Sequence, residues 1–233
     1  MSFTVLDHYE GFIFNNFIKR DKNQINLLSD VDLTWREFNK SNIFYSKRKR
    51  FGIYVYGSVG TGKTFLLSLF SQYTKVAKKI HFNHLMKNVH DAINLNNNKE
   101  KKLESYIKDL SKEIKILFID ELHIFNIVDA LIIKKVFQLL EENDVFVMTS
   151  SNFKPDDLYK DGLQRADFIS FVEHIKKNYE LIHMYSDKDY RRIALNQAKT
   201  YFTPINNDTK GEFLSLFQRL VDTDNLTTKI VNS

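Results

Sequence analysis

The chain has 233 residues, 43% of them hydrophobic and 27% charged, the balance of a globular protein large enough for one domain or two small ones. Cysteine is absent, which excludes a disulfide scaffold, Cys-ligated zinc and a cysteine nucleophile, and agrees with a reducing compartment. The 34 Lys and Arg against 29 Asp and Glu give a net charge of +5, too diffuse by itself to specify nucleic acid.

No apolar stretch approaches the roughly 20 residues of a membrane helix. The opening Met1–Asp7 carries neither a basic n-region nor an Arg-rich leader, so export and organelle import are not signalled. The expectation is a soluble intracellular protein, cytoplasmic or peripheral at a membrane.

In chain order, residues 1–50 read as an N-terminal helical extension, with weak helical patterning around Tyr9–Lys19 and Val31–Asn39. They close on the basic run Lys47-Arg48-Lys49-Arg50, which reads as a solvated turn ahead of a strand rather than a nucleic-acid patch. Gly52–Tyr56 is a β-branched and aromatic run, expected of a strand buried on both faces. A glycine-rich loop follows, then a helix over Thr64–Thr74 with Leu66, Leu67, Phe70 and Tyr73 at helical spacing. Lys79–Phe82 reads as a second strand. His84–Leu95 reads as a helix with Leu85, Met86, Val89 and Ile93 on one face.

Asn96–Lys99 is a break and Lys102–Leu110 a helix. Lys115–Ile119 is the clearest strand. Asp129–Glu142 is an amphipathic helix, read with Leu131, Ile132, Val136, Leu139 and Leu140 inward. Asp144–Thr149 is again a strand. Asp156–Asn178 is mainly helical, interrupted near Gly162, and Tyr179–Met184 is a last strand. Helices follow over Asp189–Thr200 and Gly211–Val221. Strands alternating with helices predict an α/β domain on a mostly parallel sheet. The expected division is 1–50, a core over 51–187, and a short C-terminal helical segment over 188–233.

The loop Gly57-Ser58-Val59-Gly60-Thr61-Gly62-Lys63-Thr64 fits the P-loop pattern at every required position. Backbone N–H groups converge where a strand turns into a helix, and side chains at the glycines would block phosphates. Lys63 can reach the β- and γ-phosphates, and the Thr64 hydroxyl can ligate Mg²⁺. A P-loop calls for an acidic residue at a neighbouring strand end. Ile116–Glu121 supplies Asp120 for the metal and, one residue on, Glu121 to polarise an attacking water.

A third strand ends in Thr149-Ser150-Ser151-Asn152, where a polar side chain can hold the water or sense the γ-phosphate. Arg165 follows Gly162-Leu163-Gln164 and would act as an arginine finger if it reached a neighbouring subunit. His81, His84 and His90 lack a carboxylate or Cys set at ligand spacing, and read as packing or partner contacts rather than a metal site.

Taken together these blocks resemble the ZapE-type (Afg-like) branch of AAA+ ATPases, which includes a bacterial division-associated ATPase and its mitochondrial relatives. The likeness covers about residues 50–205. It is carried by the P-loop with its strand, His81–His90, Phe118–Glu121 with Ile127–Ala130, Ser151–Asn152, Leu158–Arg165, Asp189–Arg192 and Tyr201–Pro204. The resemblance implies a P-loop core of the AAA+ type, a parallel sheet sandwiched between helices, with Asn152 as sensor 1 and Arg165 as the finger. It implies ATP and Mg²⁺ as ligands and ring-like homo-oligomers. It also implies a protein client in division or membrane-protein quality control.

Family members continue well beyond the Tyr-x-x-Pro block into a lid-like region. With the sequence ending at Ser233, the expectation is a lid reduced or absent and weakened turnover. Two alternatives stand beside this reading. One is an ATP-gated binding module with little turnover. The other is a DNA-associated ATPase of the helicase-loader kind, slightly favoured by the Lys47–Arg50 run and disfavoured by the His81–His90 and Leu158–Arg165 blocks.

Overall fold

The N-terminal segment folds as two helices, each closed by its own side chains. Helix α1 (Val5–Phe14) starts at a capping box. The Thr4 hydroxyl accepts the Asp7 N–H, and the Asp7 carboxylate accepts the Thr4 N–H, satisfying donors that a helix start leaves open. Those bonds to Thr4 hold the Asp7 carboxyl below its ordinary value. Helix α2 (Lys22–Lys40) begins where the Asp21 carboxylate accepts the N–H groups of Asn23 and Gln24. It starts nine residues before the patterning at Val31. Its first turns are mostly polar, and only Gln24, Leu27 and Leu28 of them are buried.

The computed structural model describes residues 4–15, 18–40, 50–94 and 99–185. Met1–Asp187 form one compact unit and Lys188–Ser233 another. The helices expected over Asp189–Thr200 and Gly211–Val221, the break at Asn96–Asn98 and the basic residues Lys47–Lys49 lie outside the described residues.

Five strands, β1 (Gly52–Tyr56), β2 (Ala77–His81), β3 (Ile116–Asp120), β4 (Phe146–Ser151) and β5 (Tyr179–His183), form one sheet in the order β2-β3-β4-β1-β5. Every pairing is parallel. The helices α3 (Lys63–Thr74), α4 (Phe82–Asn94), α5 (Lys99–Glu113), α6 (Ile127–Glu142) and α7 (Arg165–Asn178) are the crossovers a parallel sheet requires. Side chains alternate across the sheet and split the core in two. Ile53, Val55, Ile116, Phe118, Phe146 and Met148 pack under α1, α2 and α3. Tyr54, Leu117, Ile119, Val147 and Tyr179 pack under α4 to α7. This is an α/β/α sandwich of the AAA+ type.

The N-terminal helices are part of that sandwich. Trp35 lies 5.9 Å from Phe38 in a stacked arrangement and meets Phe146 edge-on at 5.4 Å, which seats α2 against the start of β4. Outer strand β2 carries exposed Lys78 and Lys79, charges that discourage further strand addition.

One expected face is corrected. On α6 Leu131 is 55% exposed, while Ile133 and Phe137 are fully buried. Ile127–Phe137 is apolar around most of its circumference, so spacing cannot select the inward stripe, and packing against α5 and α7 does. The inward residues read on α4, Leu85, Met86, Val89 and Ile93, are all buried.

Candidate nucleotide-binding site

Strands β1, β3 and β4 end side by side, which is where an open parallel sheet gathers its ligand groups. The loop after β1 turns through three glycines with positive φ, Gly57 (146°), Gly60 (83°) and Gly62 (93°), into α3. A Cβ on Gly57 would lie 2.1 Å from the Met184 carbonyl oxygen, so close backbone approach demands this glycine before any ligand does. Ser58 and Val59 face solvent, and buried Thr61 donates its hydroxyl to the Ser58 carbonyl at 3.1 Å. Gly62 caps α3 without a side-chain hydrogen bond, and the first turn holds no acid. Its N–H groups therefore keep their capacity to bind an anion.

Lys63 opens α3, is almost fully buried, and folds its ammonium back into the loop. It donates to the carbonyls of Gly57 (2.9 Å) and Ser58 (2.8 Å) and to Asn152 Oδ1 (3.3 Å). Thr64 donates its hydroxyl to Asp120 Oδ1 at 2.8 Å. Asp120 is buried. The same Oδ1 accepts from Ser150 Oγ at 2.5 Å, while Lys79 Nζ stands 3.4 Å from Oδ2. Thr64 and Asp120 form a hard-oxygen donor set beside the loop, the chemistry that suits Mg²⁺.

Glu121 has φ of 55°, a left-handed conformation costly for a residue with a Cβ. Its N–H donates to Ser150 Oγ at 3.0 Å, and its half-exposed carboxylate meets His81 Nε2 at 3.0 Å. The β2–β3 register, with His81 opposite Asp120, places that imidazole. A cavity of about 260 Å³ opens here, lined by Glu121, Leu122, His123, Phe125, Asn152 and Phe153. Tyr54, pushed up in pKa chiefly by burial and so kept protonated, donates to the Phe153 carbonyl at 2.8 Å.

Lys63, Thr64, Asp120, Glu121 and Asn152 thus converge. Arg165 stands apart from them at the start of α7. Its guanidinium donates to the carbonyls of Leu158 and Asp156 (2.7 Å to the latter) and lies 5.4 Å from the centre of the Phe168 ring. His90 pairs with Asp129 at 2.8 Å across α4 and α6, whereas His84 is exposed.

Three neighbours of the site were not read from the sequence. They are Ser150 as the shared partner of Asp120 and Glu121, His81 at the Glu121 carboxylate, and Gln24. The Gln24 amide is buried under the loop, accepts from Tyr9 Oη at 2.9 Å and reaches the Thr61 carbonyl at 3.5 Å. The sequence signal for His81 was its place at the end of an outer strand beside the acidic one. For Gln24 there was none.

The AFG1-like ATPase family model matches residues 13–232. The chain belongs to that family. It is similar to the cell division protein ZapE of Escherichia coli, with 30% identity over 171 residues, 72% of this chain and 46% of that protein. It is also similar to lactation elevated protein 1 homolog B of Danio rerio, with 31% identity over 192 residues, 76% of this chain and 38% of that one. The chain thus spans less than half the length of these curated relatives.

Among solved structures, AMPPCP-bound DnaA from Aquifex aeolicus superposes with a TM-score of 0.54 at 14% identity, covering 94% of this chain and 65% of that one. DnaI superposes with a TM-score of 0.51 at 18% identity, covering 74% and 87%. Both likenesses show the fold. Among the described residues, no helix of this AFG1-like protein is long and apolar enough to cross a membrane.

Proposed function

We propose that this AFG1-like protein binds Mg-ATP at Gly57–Thr64 and hydrolyses it, and that a ring-like homo-oligomer uses the turnover to remodel a protein partner. The observation that carries the reading is the 2.8 Å bond between Thr64 and Asp120, made across the ends of separate chain segments beside a buried lysine. Phosphate oxygens would replace the Gly57, Ser58 and Asn152 oxygens beside the Lys63 ammonium, and the uncapped start of α3 would hold them through N–H groups. Thr64 and Asp120 would hold Mg²⁺, which supplies charge neutralisation at the phosphates when bound.

Glu121 would take the proton of the attacking water, a role worth about 10²–10⁴-fold in rate, and Asn152 would orient that water. Arg165 would complete a neighbour's site after leaving its own carbonyls, with an effect of about 10³–10⁵-fold for a finger of this kind. The similarity to a cell division protein supports a client in division, while a client in membrane-protein quality control, and a place in the cytoplasm or peripheral at the membrane, rest on the family resemblance.

The test is ATP hydrolysis against protein concentration for wild type, Glu121→Gln and Arg165→Ala. Specific activity that rises with concentration, and is lost in both variants while ATP still binds, is the expected result. Tight ATP binding without turnover in all three refutes hydrolysis and leaves an ATP-gated binding module.

A further inference from the structure

Glu121 must hold an unfavourable backbone conformation next to a buried carboxylate, and a single oxygen atom serves both residues. Ser150 Oγ donates its one proton to Asp120 Oδ1 at 2.5 Å and accepts the Glu121 N–H at 3.0 Å. We propose that Ser150 is a positioning residue for hydrolysis, fixing the aim of Glu121 relative to Asp120. The proposal rests on the roles given to those two acids above.

Among the described residues, the hydroxyl bonds these two acids and no third group. Ser150 is buried, and it follows Phe146 and Met148 on the sheet face covered by α3, the face from which Thr64 also reaches Asp120. The Ser150 carbonyl accepts the Leu122 N–H at 2.7 Å, and Ser151 Oγ donates to the Leu122 carbonyl at 2.7 Å. The end of β4 therefore grips Glu121 and the residue after it from both sides. The same Ser151 Oγ accepts the Phe153 N–H at 3.1 Å, which continues the frame to the segment holding Asn152.

Within this frame Ser150 makes the contact to the Glu121 amide itself. A hydroxyl is the side chain that can donate to a carboxylate and accept from an amide through one atom in so small a space. Because both functions are used, the direction of its proton is fixed. The Asp120 charge and the Glu121 amide are thereby set against a common point. Ser150 touches neither the phosphates nor the water in this account and acts through Glu121.

The experiment measures steady-state hydrolysis, nucleotide affinity with a fluorescent ATP analogue in Mg²⁺, and melting temperature for wild type, Ser150→Ala, Ser150→Cys and Ser150→Thr. Misplacing a reacting group by about 1 Å costs about 100-fold. Ala and Cys are accordingly expected to lower kcat by about 10-fold or more, with KM and analogue affinity within about 3-fold. Thr, which keeps the hydroxyl, is expected to recover most of kcat. The near-isosteric Cys variant keeps the test alive if Ala fails to fold.

The proposal is overturned by a wild-type kcat in Ala and Cys, by a Thr variant as impaired as Ala, or by KM rising as far as kcat falls. Each of those outcomes, with wild type turning over normally, leaves the hydrolysis reading intact. Absence of turnover in wild type refutes hydrolysis itself, and the positioning role falls with it.

Discussion

The buried link between the N-terminal helices and the P-loop invites a coupled perturbation. Tyr9 is fully buried and donates to Gln24 Oε1 at 2.9 Å, and the Gln24 amide nitrogen reaches the Thr61 carbonyl at 3.5 Å. Gln24→Leu keeps the volume but strips the Tyr9 hydroxyl of its acceptor, which costs about 1–3 kcal/mol for a buried group left unsatisfied. The 3.5 Å contact is too long to add much. Tyr9→Phe removes the donor to the Gln24 oxygen and also the acceptor of the Asp21 N–H at 3.3 Å, a loss of about 1–3 kcal/mol.

In the double variant both polar ends are gone and an apolar pair faces itself, so the combined cost falls short of the sum by about 1 kcal/mol. Urea unfolding, read as a shift in midpoint at constant slope, measures all three. Strict additivity of the two single losses would refute the reasoning, because it would mean that the two side chains do not act as a pair.

Gly52→Ala should destabilise the fold by more than about 2 kcal/mol or prevent folding, since its Cβ would lie 1.9 Å from the Val147 carbonyl oxygen; a melting curve close to wild type sinks that account. On α6, Ile133→Ala should cost about 2–4 kcal/mol while Leu131→Ala stays within about 0.5 kcal/mol, and reversal of the pair in denaturant titrations would restore the face read from spacing. Tyr54 and Tyr179 are both raised in pKa, chiefly by burial, with the Glu141 carboxylate adding to the effect at Tyr179. Their native state therefore keeps protons that the unfolded chain releases above about pH 10, so stability is full below that pH and declines above it by up to about 1.4 kcal/mol per group per pH unit. Tyr54→Phe should flatten part of this alkaline decline, and an unchanged slope would count against it.

Much of the site was legible because its chemistry is local. The P-loop needs glycines, a lysine and a hydroxyl in one eight-residue stretch, and Asp120 and Glu121 close a strand whose apolar run announces it. The mostly parallel sheet followed from strands alternating with helices. Strand ends differ from the patterning by a residue or two, and α2 extends beyond its patterned part because its first turns are polar on most sides. The aromatic cluster of Trp35, Phe38 and Phe146 that seats α2 joins residues far apart in sequence.

What the tertiary structure alone decided lies in pairings between separate segments. Ser150 and Glu121 are 29 residues apart, His81 and Glu121 40, and Gln24 and Thr61 37. No periodicity encodes such distances, because strand order and register create them. Strand β4 lies between β3 and β1 although β2 and β3 separate it from β1 in the chain, and that order sets Ser150 against Asp120. Arg165, which the family resemblance gives as a finger, likewise meets partners outside its own turn of sequence, the carbonyls of Asp156 and Leu158. Residue type and spacing determine which groups can do the chemistry; the order of the strands determines which of them meet.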